Sequence, residues 1–436
     1  MSAALSRAVA PAIDGLAPRD VYHTLLAHGP EADELAGRFL CRQLAQLPPR
    51  RTELPRAPRR LYRWSVRNWR RTARAYRRYL AERQLGAPRR LFGSRAHALY
   101  FLRGVAPTKL VDGAWLYGCL HCRADERFRG LIRTYLEELG EGEPALNHVL
   151  LYQRLLRQLG CAPERPLSQA HYLPGAIQLA FARQPRRFLP ELLGYNLGYE
   201  QLPLHVPITA YELRELGLDA RYFILHLTVD NSASGHGRKA VEAVRALLPD
   251  SAEARARLEA GFRLNELGAS THSVVAEFDL QAELLAALRD KAVFGVGLHS
   301  DHCRIAGLSV NQWLARPERL ADFLQALQQE GWVRRGRDPA HSRFWRLIEG
   351  ERAAMQGVFT PWERALIHDW IADGHESARW AAPAGDSAPS RRGQADAAPA
   401  ASAEDMASLV ALMRPGRHHS PEGLAATAAF AREFGT

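Results

Sequence analysis

Lysine is nearly absent from this chain. It occurs only at Lys109, Lys239 and Lys291, so the 58 basic residues and the net charge of +11 are almost entirely arginine. Combined with abundant alanine, leucine and glycine, that bias points to a GC-rich coding composition rather than to a nucleic-acid partner, and no nucleic-acid binding is expected. The cysteines, Cys41, Cys119, Cys122, Cys161 and Cys303, are sparse and odd in number, which excludes a disulfide framework and suits reduced thiols. No apolar run approaches the roughly twenty residues that a membrane-spanning helix needs. The first residues, Met1 to Arg7, lack the basic segment, sustained apolar stretch and cleavage site of a secretory leader. The expectation is a cytoplasmic protein without a transmembrane segment, compatible with a homodimer. No internal repeat is present.

At 436 residues the chain has room for two or three average domains, or for one large helical domain with extensions. Residues 1–90 read as a helical N-terminal extension, broken at Pro48-Pro49, Pro55 and Pro58. Within it, Tyr62, Val66, Trp69, Ala73, Tyr76 and Leu80 recur at helical spacing and predict a stripe packed on the body. Arg63, Arg67, Arg70, Arg71, Arg74, Arg77 and Arg78 fall on the other faces, where an acidic partner or a membrane surface could meet them. Residues 91–290 read as a core of helices separated by glycine and proline, and 291–376 as a further helical segment holding Trp313, Trp332, Trp345 and Trp362. Residues 377–436 read as a mostly disordered tail, because alanine, serine, proline and glycine dominate 381–402. A short amphipathic run follows from Met406 to Met413, then a basic turn at His418-His419.

The most informative stretch is His226 to His236. His226 and Asp230 are spaced i, i+4, which on a helix stacks an imidazole over a carboxylate on one face, and His236 follows. Imidazole and carboxylate together suit a first-row transition metal, and two histidines with one carboxylate suit non-haem iron. Tyr222 to Val229, however, is rich in strand formers, so local propensity favours a strand there; the ordered succession of donor residues outweighs it, and a helix is expected. Upstream, Gly140, Gly142 and Pro144 predict the end of one helix, carrying Glu138, and the start of the next, carrying His148. That second helix aligns His148, Tyr152, Leu155, Leu156 and Leu159 along one buried side. Glu200 lies in an apolar, aromatic run, where an isolated carboxylate is costly unless it is paired or bound to metal.

Taken in order, Glu138-Leu-Gly-x-Gly, His148, an apolar-flanked Glu200, His226-x-x-x-Asp230 and Gly235-His236 resemble the haem-oxygenase-like diiron oxidases and oxygenases. These are often labelled iron-containing redox enzymes. The resemblance spans about Leu91 to Leu288. It implies an all-α, haem-oxygenase-like helical bundle with helical N- and C-terminal extensions. It also implies iron ligation by Glu138, His148, Glu200, His226, Asp230 and His236, with Asp112 as a seventh ligand from an early helix. The implied cofactors are two Fe(II) ions, with dioxygen as co-substrate and an external reductant. The implied partners are an electron donor and a small-molecule substrate, amino-acid-like or another carboxylate, undergoing N-oxygenation, desaturation or C–C cleavage. A carboxylate-bearing substrate needs a cationic anchor, and Arg221 and Arg238, the cations nearest the ligand helix, are the candidates. Glu-x-x-His does not occur anywhere in the chain, which excludes the paired ligand pattern of ferritin-like bundles.

Two other readings stand beside this one: a haem-binding or haem-degrading protein on the same fold, and a metal-free helical interaction protein using its arginine-rich helix. Two further constellations compete for a metal. His299, Asp301, His302 and Cys303 are ligand-dense but adjacent, so they converge only on an irregular loop. Cys119-x-x-Cys122 has zinc or redox spacing without a second pair, and reads better as small apolar residues beside Trp115.

Overall fold

The computed structural model describes residues 15–50, 52–163, 165–229, 235–350, 353–375 and 403–435, and it is all-α apart from one two-residue antiparallel ribbon (β1, Arg304–Ile305; β2, Leu308–Ser309). The N-terminal helices are α1 (Pro18–Ala27), α2 (Ala32–Ala45) and the long α3 (Leu61–Gln84). The central helices are α4 (Arg95–Gly104), α5 (Ala106–Lys109), α6 (Arg129–Glu138), α7 (His148–Leu159), α8 (Gln169–Arg183), α9 (Leu189–Tyr199), α10 (His205–Glu215), α11 (Arg221–Val229), α12 (His236–Leu247) and α13 (Ala252–Arg263). After them come α14 (Thr271–Ala276), α15 (Leu280–Gly295), α16 (Val310–Leu314), α17 (Leu320–Gln329), α18 (Arg343–Ile348) and α19 (Pro361–Ala372), and lastly α20 (Ala403–Leu412) and α21 (Pro421–Phe434). Among the described residues no helix is long and apolar enough to cross a membrane.

Buried apolar side chains form two clusters. One joins α1, α2, the 3₁₀ segment Ala114–Cys122, α6, α8, α9, α12, α20 and α21. The other joins α4, α7, α10, α11, α15 and α17 to α19. The candidate ligands lie along the seam, on α6, α9 and α12 from the first cluster and on α7 and α11 from the second. The N-terminal helices α1 and α2 share the first cluster with α8, so they are part of the same core rather than an appendage.

Three elements differ from what local pattern or composition alone predicts. The stripe on α3 is rotated: Leu61, Ser65 and Tyr79 are buried, whereas Tyr62 and Trp69 remain about two-fifths exposed (42% and 41%). Tyr79 sets this rotation, because its hydroxyl donates to the buried Glu212 carboxylate of α10 at 2.7 Å. Glu212 also accepts from the backbone N–H groups of Arg90, Leu91 and Phe92, so four donors offset the cost of burying it. The arginines of α3 named above are all exposed, as predicted.

Tyr222 to Val229 is a helix despite its β-formers. Tyr222, Phe223 and His226 are buried while Ile224 is exposed, which is a helical burial pattern; a strand would have buried Tyr222, Ile224 and His226 together. Asp219 starts the helix by accepting the N–H of Arg221 at 2.9 Å.

The third correction concerns the tail that composition marks as mostly disordered. Its C-terminal part forms α20 and α21, and Val410, Met413, Ala426, Phe430 and Ala431 are buried in the first cluster. The bias of 381–402 does not carry on to the following residues, whose apolar side chains have a partner surface that only the fold supplies.

One helix crossing positions a candidate ligand directly. A Cβ at Gly194 of α9 would lie 1.9 Å from the Leu258 carbonyl oxygen of α13, and one at Gly261 of α13 would lie 1.9 Å from that of Glu191. Only glycine at both places lets the two backbones touch, and this fixes the axis of α9, at whose C-terminus Glu200 sits.

Candidate metal centre

Six of the seven side chains expected at the site converge. Asp112, Glu138, His148 and His226 form one group that could hold a metal ion, and Glu138, Glu200 and His236 form a second, the donor atoms of each group lying within 4.8 Å of one another. All are buried. Asp230 lies outside the described residues.

Local chemistry explains each placement. Glu138 is the last residue of α6, after which Gly140 and Gly142 turn the chain at positive φ. Asn147 caps α7 by accepting the N–H of Leu150 at 2.9 Å, which makes His148 the first residue of that helix. Asp112 comes from the turn after α5. The next residue, Gly113, has φ 79°, and a Cβ there would lie 2.8 Å from Glu138 Cβ; the absent side chain is what lets Asp112 and Glu138 share one site.

Glu138 faces both groups. Its Oε2 is 2.5 Å from His148 Nδ1, and its Oε1 is 3.3 Å from His236 Nδ1. His148 Nδ1 is also 3.7 Å from Asp112 Oδ2, His226 Nε2 is 3.2 Å from Asp112 Oδ2, and His236 Nδ1 is 3.2 Å from Glu200 Oε2. Glu138 Oε2 and both ring nitrogens of His148 are buried without an aligned hydrogen bond, although they lie close together. Lone-pair donors held near one another yet misaligned for hydrogen bonding fit ligation of a common centre, so the residues present suit a metal.

The residues that hold the ligands in place are largely illegible in the sequence. His236 Nε2 is 2.9 Å from Glu137 Oε2, and Glu137 pairs in turn with Lys239, a carboxylate–histidine arrangement that turns Nδ1 toward the cluster. His226 Nδ1 donates to the Tyr222 carbonyl at 2.8 Å, leaving Nε2 for the site. Asp112 accepts from the Tyr199 hydroxyl at 2.9 Å and from the Tyr222 hydroxyl. Tyr222 lies one turn before His226 and Tyr199 adjoins Glu200, so spacing alone is a signal that could flag both.

Electrostatics follow from three buried carboxylates. Burial alone would raise the Glu138 pKa, but His148 and His236 outweigh it and hold the group down at about 2. Burial would lower His148, but Glu138 and Asp112 hold it up at about 10. Burial likewise opposes ionisation of Asp112, and Lys109, His148 and His226 overcome it, keeping its pKa well below the usual carboxylate range. Without metal, the protonated His148 is the counter-charge that makes carboxylate burial tolerable.

A cavity of about 730 Å³ opens beside the first group. Lys109, Tyr199, His205 and His226 line it, together with residues of α3 and the 264–272 segment. Neither Glu200 nor His236 lines it. The other candidates that the sequence offers lie apart from the cluster. Arg221 pairs with Asp219 and Arg238 with Glu242, both at the surface. Asp301 and His302 are exposed on the loop before β1. Cys119 and Cys122 are buried apolar-core residues, and burial pushes the Cys119 thiol pKa up.

Comparison with known proteins returns one family model, described as iron-containing redox enzyme, which matches residues 99–265. No curated protein and no solved structure matches the chain.

Proposed function

We propose a non-haem diiron oxidase or oxygenase acting on a small carboxylate-bearing molecule, on the premise that residues 99–265 match the iron-containing redox enzyme family on an all-α, haem-oxygenase-like fold. The observation that carries the reading is the shared Glu138 carboxylate, one oxygen toward each donor group. Asp112, Glu138, His148 and His226 would hold one Fe(II), and Glu138, Glu200 and His236 the other, with Asp230 assigned from the family resemblance alone. When bound, the metal pair supplies the redox chemistry by which dioxygen, with an external electron donor, oxidises the substrate.

The chain's own residues do the rest. Glu138 offsets charge at both positions at once. Tyr199 and Tyr222 fix the Asp112 carboxylate by hydrogen bonds to both of its oxygens. Glu137 and Lys239 prevent His236 from rotating away. Burial of Glu138, His148, Glu200 and His236 keeps bulk water off the cluster, while His226 is the ligand that reaches the cavity. A substrate in the cavity therefore meets the Asp112–His148–His226 side.

Anaerobic loading of the full-length protein with ferrous iron tests this reading. Two irons per chain and an absorption change on adding oxygen, without a Soret band, are expected. Uptake of haemin with a Soret band and no retention of ferrous iron would replace the reading with a haem protein.

A further inference from the structure

The cavity beside His226 has an uneven charge. Of the cationic side chains that line it, Arg71 is largely exposed and extends toward Glu53 at 3.4 Å, so it marks the mouth. His205, also lining, is half-buried and pushed down to about 3 by desolvation and then by Lys109 and His272, so it is neutral. Glu266 is the one carboxylate among the lining residues, and it is taken up by Arg50 at 2.6 Å.

Lys109 is placed differently. It is half-buried at the end of α5, three residues before Asp112. Its Nζ lies 3.4 Å from the Tyr199 hydroxyl, and 5.6 and 5.5 Å from the ring centres of Tyr199 and Tyr222. None of the ion pairs among the described residues uses it. An ammonium has three donors, and one long hydrogen bond with two aromatic faces leaves donor capacity directed at the cavity. Two of its neighbours, Tyr199 and Tyr222, are the side chains that hold Asp112, so an anion on Lys109 would lie beside the cluster.

We propose that Lys109 is the residue that anchors the anionic end of the substrate, holding it at the cavity floor next to His226 with the apolar remainder directed toward Leu202, Val206 and Leu264. This rests on the functional reading above and replaces Arg221 and Arg238 as the anchor. An aliphatic body with one carboxylate fits a cavity whose lining surface is more apolar than polar and whose inner cation forms no ion pair among the described residues. Lysine is otherwise scarce in this chain, and here a compact ammonium on a flexible stem sits near two phenol rings.

The test uses the full-length protein, first free of metal and then loaded with ferrous iron under anaerobic conditions, with calorimetric binding of hexanoate and of hexan-1-ol. Hexanoate should bind the metal-free protein more tightly than the alcohol. Lys109→Met should weaken hexanoate by about tenfold or more, the loss expected when one charged hydrogen-bond partner is removed. Hexan-1-ol should bind Lys109→Met as it binds the native protein, which shows that the cavity has kept its shape, and Lys109→Arg should restore part of the hexanoate affinity. Equal hexanoate binding in Lys109→Met, equal binding of acid and alcohol by the native protein, or binding of neither would overturn the proposal. Because the deciding data come from metal-free protein, failure of the iron reading would appear separately, as an absence of ferrous iron uptake.

Discussion

A methyl group at Gly113 would lie 2.8 Å from Glu138 Cβ, on a backbone held at φ 79°. Both effects act on the cluster rather than on the core, since the strain of a non-glycine residue at positive φ is about 1–2 kcal/mol while the displaced atom belongs to the shared carboxylate. Gly113→Ala should therefore lower iron stoichiometry far more than melting temperature; calorimetry and metal analysis on the same preparation check this. The candidate ligand residues stand out in the sequence because an imidazole or an isolated carboxylate in apolar surroundings is conspicuous. Lys109 does not, because a lone lysine has many ordinary reasons to be present, and Tyr199 and Tyr222 are marked only by their spacing from Glu200 and His226.

Among the helices, α20 and α21 matter beyond their place at the end of the chain. The Tyr135 hydroxyl of α6 donates to the Met413 carbonyl at 2.6 Å, and His418 Nδ1 lies 3.3 Å from the Asn147 amide nitrogen. These contacts touch the two helices that present Glu138 and His148. Deleting residues from Ala381 onward should lower the melting temperature by roughly 5–10 °C, given that several large buried side chains are lost; an unchanged transition would show that α20 and α21 add nothing to stability. His418 also makes stability depend on pH. Burial, and then His419, push it down to about 3, so between its unfolded value near 6.5 and about 3 the unfolded chain takes up a proton that the folded chain refuses. Its contribution is whole above pH 6.5 and is lost as pH falls toward 3, at up to about 1.4 kcal/mol per pH unit. His418→Gln should flatten the acid-side decline in melting temperature between pH 6.5 and 4 relative to the native protein. His148, held up at about 10, acts in the opposite sense, but it is present in both proteins and cancels from the comparison.

Across the molecule as assembled, the two donor groups are unequal. One offers four described side chains and the other three, and the four-ligand group spans the seam between the two apolar clusters. Ferrous iron added to apo-protein should bind in two steps, the tighter at Asp112, Glu138, His148 and His226. His226→Ala should remove the tighter step, His236→Ala the weaker, and Glu138→Ala both, with helical circular dichroism nearly unchanged. Metal-bound protein should also melt higher than apo-protein, because ligands that converge only in the native state couple binding to folding. A single step of two equal equivalents in the native protein would show that the groups are equivalent.

The helical class, the break between Glu138 and His148, and most of the candidate ligand set are legible along the chain. Each of these rests on local order: periodic apolar residues, glycine and proline at the break, and donor residues in a familiar succession. Other features arise only from packing. Burial of one face makes a helix of Tyr222 to Val229, outweighing β propensity. A hydrogen bond from Tyr79 to Glu212 fixes which edge of α3 turns inward. Asp112 reaches Glu138 across a gap that only Gly113 allows, and α20 and α21 fold onto a surface that does not exist until the other helices have assembled. Local sequence records what each segment can bury, whereas which segments meet depends on contacts between residues far apart in the chain, and such contacts leave no periodicity to read.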